Sequence, residues 1–274
     1  MDTGWFALGI VPIMKKPLLD VIFASDKRKN SLLLLKDEPI KMVTILNSLK
    51  TTRQALLPQM RILEEHQLVH HFDDTYELTT IGELIVDKMV PFLDTVETLD
   101  TDIDYWGTHS LDFIPSYLLK RIGELDSCIR IETSLHEIFE EDKQFTEESK
   151  KSKSVFTISS YVFPNFEKTL SELIANNVST YIIISKELYE KLIHENPENT
   201  QALAKSPNIS LYMYPGSFGF LSISINNYSM LLKLLTEKGE YDNKRIACSG
   251  DVTLKWGKEL FEYYLKDSEL ITEI

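Results

Sequence analysis

Between residues 42 and 78 the apolar residues change their period once, and this change limits the fold more than any other feature. Met42, Ile45, Leu46 and Leu49 repeat at i, i+3, i+4 and i+7, which is one buried face of a helix. Lys50-Thr51-Thr52 then makes a short turn, and Leu56, Met60 and Leu63 resume the helical spacing. After that the period drops to two. Leu68–Phe72 reads as a strand, Asp73-Asp74-Thr75 as a turn, and Tyr76–Leu78 as the returning strand. Helix, tight turn, helix, then hairpin is the order of a winged helix-turn-helix.

The flanking segments extend this reading. Pro17 opens a helical run to Ser25, Asp26 is expected to cap a second run, and Pro39 ends it. Thr80-Ile81-Gly82-Glu83 reads as a capping box that starts a long helix. Along it Ile85, Met89, Phe92, Val96, Leu99 and Ile103 alternate steps of four and three, the seam of a dimerisation helix, with Pro91 expected to kink it. An amphipathic helix lying on its own domain would show the same pattern.

From Tyr105 onward helical and strand patterns alternate. Helices are expected over 114–125, 135–151, 166–176 and 186–194, with a last one capped by Asp251. Strands are expected at 128–131, 154–160, 180–185, 209–214, 218–225, 230–235 and 246–248. The run Thr180–Ser185 is almost continuously apolar and should be buried on both faces. The fold class is therefore mixed, α+β and α/β. We divide it into an extension 1–13 expected to be poorly ordered, a winged helix-turn-helix 14–79, a helical linker 80–104 and an α/β regulatory domain 105–274.

The net charge of −13 argues against nucleic acid until its distribution is considered. Residues 15–71 hold ten Lys/Arg against six Asp/Glu, whereas residues 73–151 hold seven against twenty. A basic block is thus followed by an acidic one. On the second helix of the motif Gln54, Pro58, Arg61 and Glu65 fall opposite the apolar face, with Arg53 near the end that enters a major groove. Arg pairs with guanine and Gln with adenine, and Lys50, Thr51 and Thr52 are placed to hold phosphate. The expected partner is double-stranded DNA, with Lys50, Thr51, Thr52, Arg53, Gln54, Pro58 and Arg61 at the interface. Each alone is as readily a solvated helix residue. The Asp73-Asp74 wing tip should repel phosphate. A competing reading is a winged helix that binds a protein of the transcription machinery.

An enzyme is not expected. The chain contains no phosphate-binding glycine loop, no G-x-S-x-G, no H-E-x-x-H and no His-x-Lys pair. No catalytic residue, metal site or cofactor is predicted. The two cysteines, Cys128 and Cys248, lack a C-x-x-C spacing, so a disulfide scaffold is not expected; Cys128 reads as a buried thiol in a reducing compartment. The short apolar start, broken by Pro12, is neither a signal peptide nor a membrane span. For a small-molecule effector the strand ends are the natural place. The candidates are Ser159, Ser160 and Tyr161 after one strand, Ser185 and Lys186 after another, and Arg130 as a partner for an anion.

Several long stretches carry a resemblance: KPLLDVIFASDKRKNSLLLLKDEP, TTRQALLPQMRILEEHQLV and YELTTIGELIV in the first part of the chain. In the second part they are YWGTHSLDFIPSYLLKRIGEL, SKSVFTISSYVFPNF, GEYDNKRIACSG and WGKELFEYYLKDSE. From Met14 to Glu269 the chain resembles the archaeal winged-helix regulators that carry a methanogenesis regulatory protein middle domain. The resemblance implies a cytoplasmic, homodimeric transcription regulator of a methanogenic archaeon. It also implies that Pro58 is an ordinary part of the recognition region, and it supplies no ligand residues.

Overall fold

The computed structural model describes residues 15–133 and 142–272. The 1–13 extension and the first part of the helix expected from residue 135 lie outside the described residues. Two compact units meet at Pro91/Phe92, inside the long helix.

The first unit opens with α1 (Leu18–Phe23) and α2 (Asp26–Leu34). Asp26 lies in the first turn of α2 and Ser25 holds the cap position, so the expected cap is one residue late. A two-residue strand, β1 (Ile40–Lys41), follows; it is too short to show a period in the sequence. Then come α3 (Met42–Ser48), α4 (Arg53–Glu65), β2 (Val69–Phe72) and β3 (Thr75–Leu78). The three strands pair antiparallel in the order β1-β3-β2. Met42, Ile45, Leu56, Met60 and Leu63 are fully buried, the faces their spacing predicts.

The motif's turns are set by backbone chemistry. At the end of α3 the Thr51 amide donates to the Leu46 carbonyl at 3.0 Å while Lys50 adopts φ 46°. That is a Schellman ending, with lysine where glycine is usual. Asp73 and Asp74 have φ of 50° and 63°, the two positive angles of a type I′ hairpin turn.

The long helix α5 (Thr80–Asp100) is capped by Thr79, whose Oγ1 accepts from the Gly82 amide at 3.0 Å. The expected capping residue, Thr80, is instead the first helical residue. Gly82 is required here: a Cβ would lie 2.1 Å from the Leu68 carbonyl oxygen. The helix continues through Pro91.

The second unit adds α6 (Ile103–Thr108) and α7 (Ser116–Leu119), and a 3-10 turn at Ile122–Glu124, so the helix expected over 114–125 is broken in two. Next are β4 (Ile129–Glu132), α8 (Lys143–Lys150), β5 (Ser154–Ser159), α9 (Phe166–Ala175) and β6 (Ser179–Ser185). Then follow α10 (Lys186–Glu195), α11 (Pro197–Ala204), β7 (Ile209–Tyr214), β8 (Phe220–Ile225), β9 (Ser229–Leu234) and β10 (Lys244–Ser249). The unit closes with α12 (Asp251–Leu265) and β11 (Glu269–Leu270). Gly250, at φ 101°, occupies the cap position of α12 with no side-chain bond, so Asp251 is not the cap.

The eight strands form one sheet in the order β11-β7-β6-β5-β8-β9-β10-β4. β5, β6 and β7 run parallel, and the other pairings are antiparallel. One sheet face, with Ile158, Ile183, Phe220 and Ile223, packs against Trp256, Leu260 and Phe261 of α12. The other, with Val155, Ile182 and Ile184, packs against Leu170 and Leu173 of α9 and Leu188 of α10. Strands covered on both faces explain why Thr180–Ser185 reads as one apolar run.

Cys128 and Cys248 form a disulfide, which corrects the expectation of free thiols. Ile129 pairs with Ala247 on antiparallel β4 and β10, so the next pair outward brings the two cysteines opposite each other, with Cα atoms 4.1 Å apart. Sequence spacing carries no trace of that register.

Candidate nucleic-acid interface

Helix α4 is anchored from both ends. At its start the Thr52 hydroxyl accepts from the Ala55 amide at 3.4 Å, so Thr52 acts as the helix cap. Along its buried side Arg28 of α2 bonds to the Val21 carbonyl and, at 2.5 Å, to Gln59 Oε1, tying α2 to α4. At its end Lys15 Nζ donates to the Glu65 carbonyl at 2.7 Å. The Glu64 side chain meets His71 on β2, and the His71 ring stacks on Tyr76 with centroids 5.0 Å apart.

The exposed side of α4 carries Arg53, Gln54, Pro58 and Arg61, with Lys50 exposed just before it and Thr51 half-buried in the turn. Sequence periodicity and structure agree on this face. They part at Arg53. Its guanidinium makes a two-pronged bond to Asp74 at the wing turn, at 2.9 and 2.5 Å. Asp74's carboxyl is held below the usual carboxylate range by the hydrogen bonds from Arg53, which are also the main cause that raises the Arg53 pKa. The wing tip therefore occupies the arginine nearest the start of α4. Both groups remain about half exposed, so water and salt weaken the pair. The sequence gives no hint of it, because Arg53 on α4 and Asp74 in the wing turn are brought together only by tertiary packing.

The six residues of the expected dimer seam do not share one environment. Met89 is buried and Leu99 packs against the core of the second unit. Ile85 is half-buried. Phe92, Val96 and Ile103 are exposed at 57%, 38% and 59%.

The expected effector residues are likewise divided. A cavity of about 110 Å³ lies on the sheet face beneath α8 and α9, and Ser159 and Tyr161 line it. The other four do not. The Ser160 hydroxyl donates to the Leu221 carbonyl at 3.0 Å, and the Ser185 hydroxyl accepts from Leu188 N at 3.2 Å as the cap of α10. Lys186 is exposed 3.9 Å from Glu190, and Arg130 pairs with Asp102 at 2.5 Å. The opening lies over the face of the sheet rather than outside the strand ends. It is floored by Thr157, Ser222, Ser224 and Lys233, which the sequence reading overlooked. A signal existed: Lys233 interrupts the apolar strand Met-Leu-Leu-Lys-Leu-Leu, and Ser222 and Ser224 alternate with isoleucines.

Residues 138–267 match the methanogenesis regulatory protein FilR1, middle domain. The resemblance read from the sequence, to archaeal regulators carrying this domain, is borne out. The curated methanogenesis regulatory protein FilR1 of Methanothrix harundinacea (strain 6Ac) is 23% identical over 260 residues. That alignment covers 92% of this chain and 58% of the relative, so the chain spans little more than half of FilR1's length. Among solved structures, TrmBL2, an archaeal chromatin protein with a novel mode of DNA binding, is 14% identical with a TM-score of 0.43, covering 93% of this chain and 97% of its own. Nuc from Salmonella typhimurium, a phospholipase D family member, is 13% identical with a TM-score of 0.38, over 53% and 97%.

Among the described residues no group of three or more His, Cys, Asp or Glu is placed to hold a metal ion, and no helix is long and apolar enough to cross a membrane.

Proposed function

We propose that the chain is a DNA-binding transcription regulator of a methanogenic archaeon. Its winged helix-turn-helix reads duplex DNA through α4, and its FilR1-like domain reports a chemical signal. The observation that carries the reading is the exposed face of α4, with Gln54, Pro58 and Arg61 presented beside a hairpin wing. Such a helix enters a major groove, where Arg and Gln read base edges and Lys50 and Thr51 meet phosphate. The regulatory name of the relative supports the same reading.

In this account Arg53 is exchanged between two hydrogen-bond acceptors. Asp74 holds it in the free protein, and phosphate or a guanine edge takes it on DNA. Two chains pair through Phe92, Val96 and Ile103, which are the exposed members of the seam, so the operator is an inverted repeat with half-sites one helical turn or a multiple apart. The protein acts in the cytoplasm, and catalysis is no part of its role. Sites: residues 14–79 bind DNA, 80–104 link, and 105–274 sense.

The test is fluorescence anisotropy with labelled duplexes from upstream of the chain's own gene against a scrambled duplex. Preference for the upstream duplex, lost in Arg61→Ala, supports the proposal. Equal weak binding to both, unchanged by Arg61→Ala, favours a protein partner for the winged helix, a reading that the acidic wing tip also suits.

A further inference from the structure

We propose that the Cys128–Cys248 bond is a thiol–disulfide exchange site that takes a small neutral dithiol, and that its state sets how firmly the second unit holds the end of α5. The inference rests on reading the chain as a cytoplasmic regulator, and it names the chemistry that the second unit reports.

A disulfide is rare in a cytoplasmic protein, and where one forms it is usually transient and redox-sensing. A bond kept for stability alone is best closed to thiols. This one has an open side. Cys128 lines a cleft of about 510 Å³ between the last turns of α5, the segment 123–127 and Val252 of α12. Cys248, 2% exposed, does not line it. An incoming thiolate therefore reaches Cys128 Sγ, and Cys248 is the leaving sulfur. The charge of the cleft selects the attacker. Glu124 is paired with Arg121 at 2.7 Å, but Asp94, Glu97 and Asp126 line the opening and are exposed. Such a rim repels an anionic reductant and admits a neutral one.

The exchange runs in two steps. The dithiol's thiolate bonds to Cys128 Sγ, and the Cys128–Cys248 bond breaks, its electron pair leaving on Cys248 Sγ, which takes a proton from water. The second thiol then attacks its own sulfur in the mixed disulfide and releases Cys128 as a thiolate, which is protonated in turn. The protein gains two electrons and two protons, and the dithiol becomes a cyclic disulfide. The reverse reaction restores the bond. The chain has two cysteines, so no other pairing within it competes.

The position of the bond gives the exchange a consequence. The last ladder pair of β4 and β10 at this end is Ile129 with Ala247, so the disulfide clamps the chain one position beyond the ladder. Just before it Ser127 is held in the left-handed region, at φ 51°, where a residue with a Cβ is uncommon. The segment that ends here is the seat of α5. A Cβ on Gly123 would lie 2.8 Å from Asp94 Cβ and Thr95 N, and the buried Thr98 hydroxyl donates to the Leu125 carbonyl at 3.5 Å. Opening the bond frees Ser127 to relax and leaves Thr253, whose hydroxyl donates to the Glu124 carbonyl at 2.7 Å, as a remaining tie. Helix α5 is continuous from Thr80 to Asp100, so a loosened end acts on the linker of the winged helix.

The experiment treats the oxidised full chain with dihydrolipoamide and with dihydrolipoate, which differ by one negative charge, and counts new thiols by alkylation and mass. The expected rate rises with dithiol concentration and is unchanged by urea below the melting transition. Dihydrolipoamide should react a few-fold faster at low salt, with the gap closing as salt screens the rim. In the reduced form, and in the double variant Cys128→Ser/Cys248→Ser, the amides of 94–100 and 123–128 should exchange with deuterium faster than in the oxidised form. A reduction rate that climbs steeply with sub-denaturing urea would overturn the proposal, because the bond would then open only with unfolding. Equal deuterium exchange in the two forms, or equal rates with the two dithiols at low salt, would overturn it as well. These readouts do not involve DNA, so a chain that binds no duplex in either form fails as a regulator without touching the exchange site. Equal DNA affinity of the two forms, beside unequal exchange in α5, keeps the site and rejects its role as the signal.

Discussion

Pro58 is the sixth residue of α4 and lies on its exposed side. Proline there has no amide to donate to the Gln54 carbonyl, and its ring crowds that oxygen. In an exposed helix interior the residue is about 3 kcal/mol less favourable than alanine. Part of this is offset in the unfolded chain, which proline stiffens by about 0.4–1 kcal/mol. Because the ring contributes nothing to the core, Pro58→Ala should stabilise α4 by about 2 kcal/mol. Since about 1.4 kcal/mol is tenfold, the amides of Met60 and Leu63, buried on the opposite side, should exchange with deuterium more slowly by about tenfold or more. Native-state hydrogen exchange reads this segment by itself, which suits a chain with two units. Unchanged or faster exchange at Met60 and Leu63 would refute the reasoning, since the helix would then owe nothing to a missing bond at Pro58.

Asp74→Asn should release Arg53 and raise DNA affinity at low salt, read by anisotropy; a loss of affinity would mean that the pair presents the arginine. Gly82→Ala should destabilise the first unit by about 2 kcal/mol or more, read by denaturant melting, because the new methyl meets the Leu68 carbonyl rather than a movable side chain. Cys248→Ser should lower stability by about 2–4 kcal/mol, since the bond closes a loop of 120 residues; an equal melting temperature with and without reductant would count against it. Arg121 donates hydrogen bonds to Glu259 and holds its carboxyl below the usual glutamate range. The stabilisation is therefore present above the unfolded glutamate value and is lost as pH falls through the lowered one. Wild type should melt above Glu259→Gln at neutral pH and converge with it in that acidic window.

The winged helix was legible because each of its elements is covered on one side only. Met42, Ile45, Leu56, Met60 and Leu63 therefore show the helical period and turn the predicted face inward. The second unit's main strands were legible as long apolar runs. Short elements were not: β1 has two residues, and α11 begins at Pro197 with a weak apolar face. Caps slipped by one residue at Thr79, whose neighbour Thr80 carries the same hydroxyl, and at Gly250, which holds the cap position of α12 at φ 101° without a side-chain bond. What sequence order cannot carry is register. The disulfide and the meeting of Ser222 with Ser159 depend on which residue faces which across a strand pair, and the Arg53–Asp74 bond on how α4 packs beside the wing turn. The candidate effector site suffered most, since Lys233 joins Tyr161 across 72 positions of chain.

The most direct test of the DNA reading is the salt dependence of binding to the upstream duplex, for wild type beside Lys50→Ala and Arg61→Ala. Contacts to phosphate release counterions, and each lost contact lowers the slope of log affinity against log salt by about one. The account predicts a steep slope for wild type, a slope smaller by about one in Lys50→Ala, and lost preference for the upstream duplex in Arg61→Ala. Binding that ignores salt and both substitutions would contradict it and leave α4 as a surface for another protein.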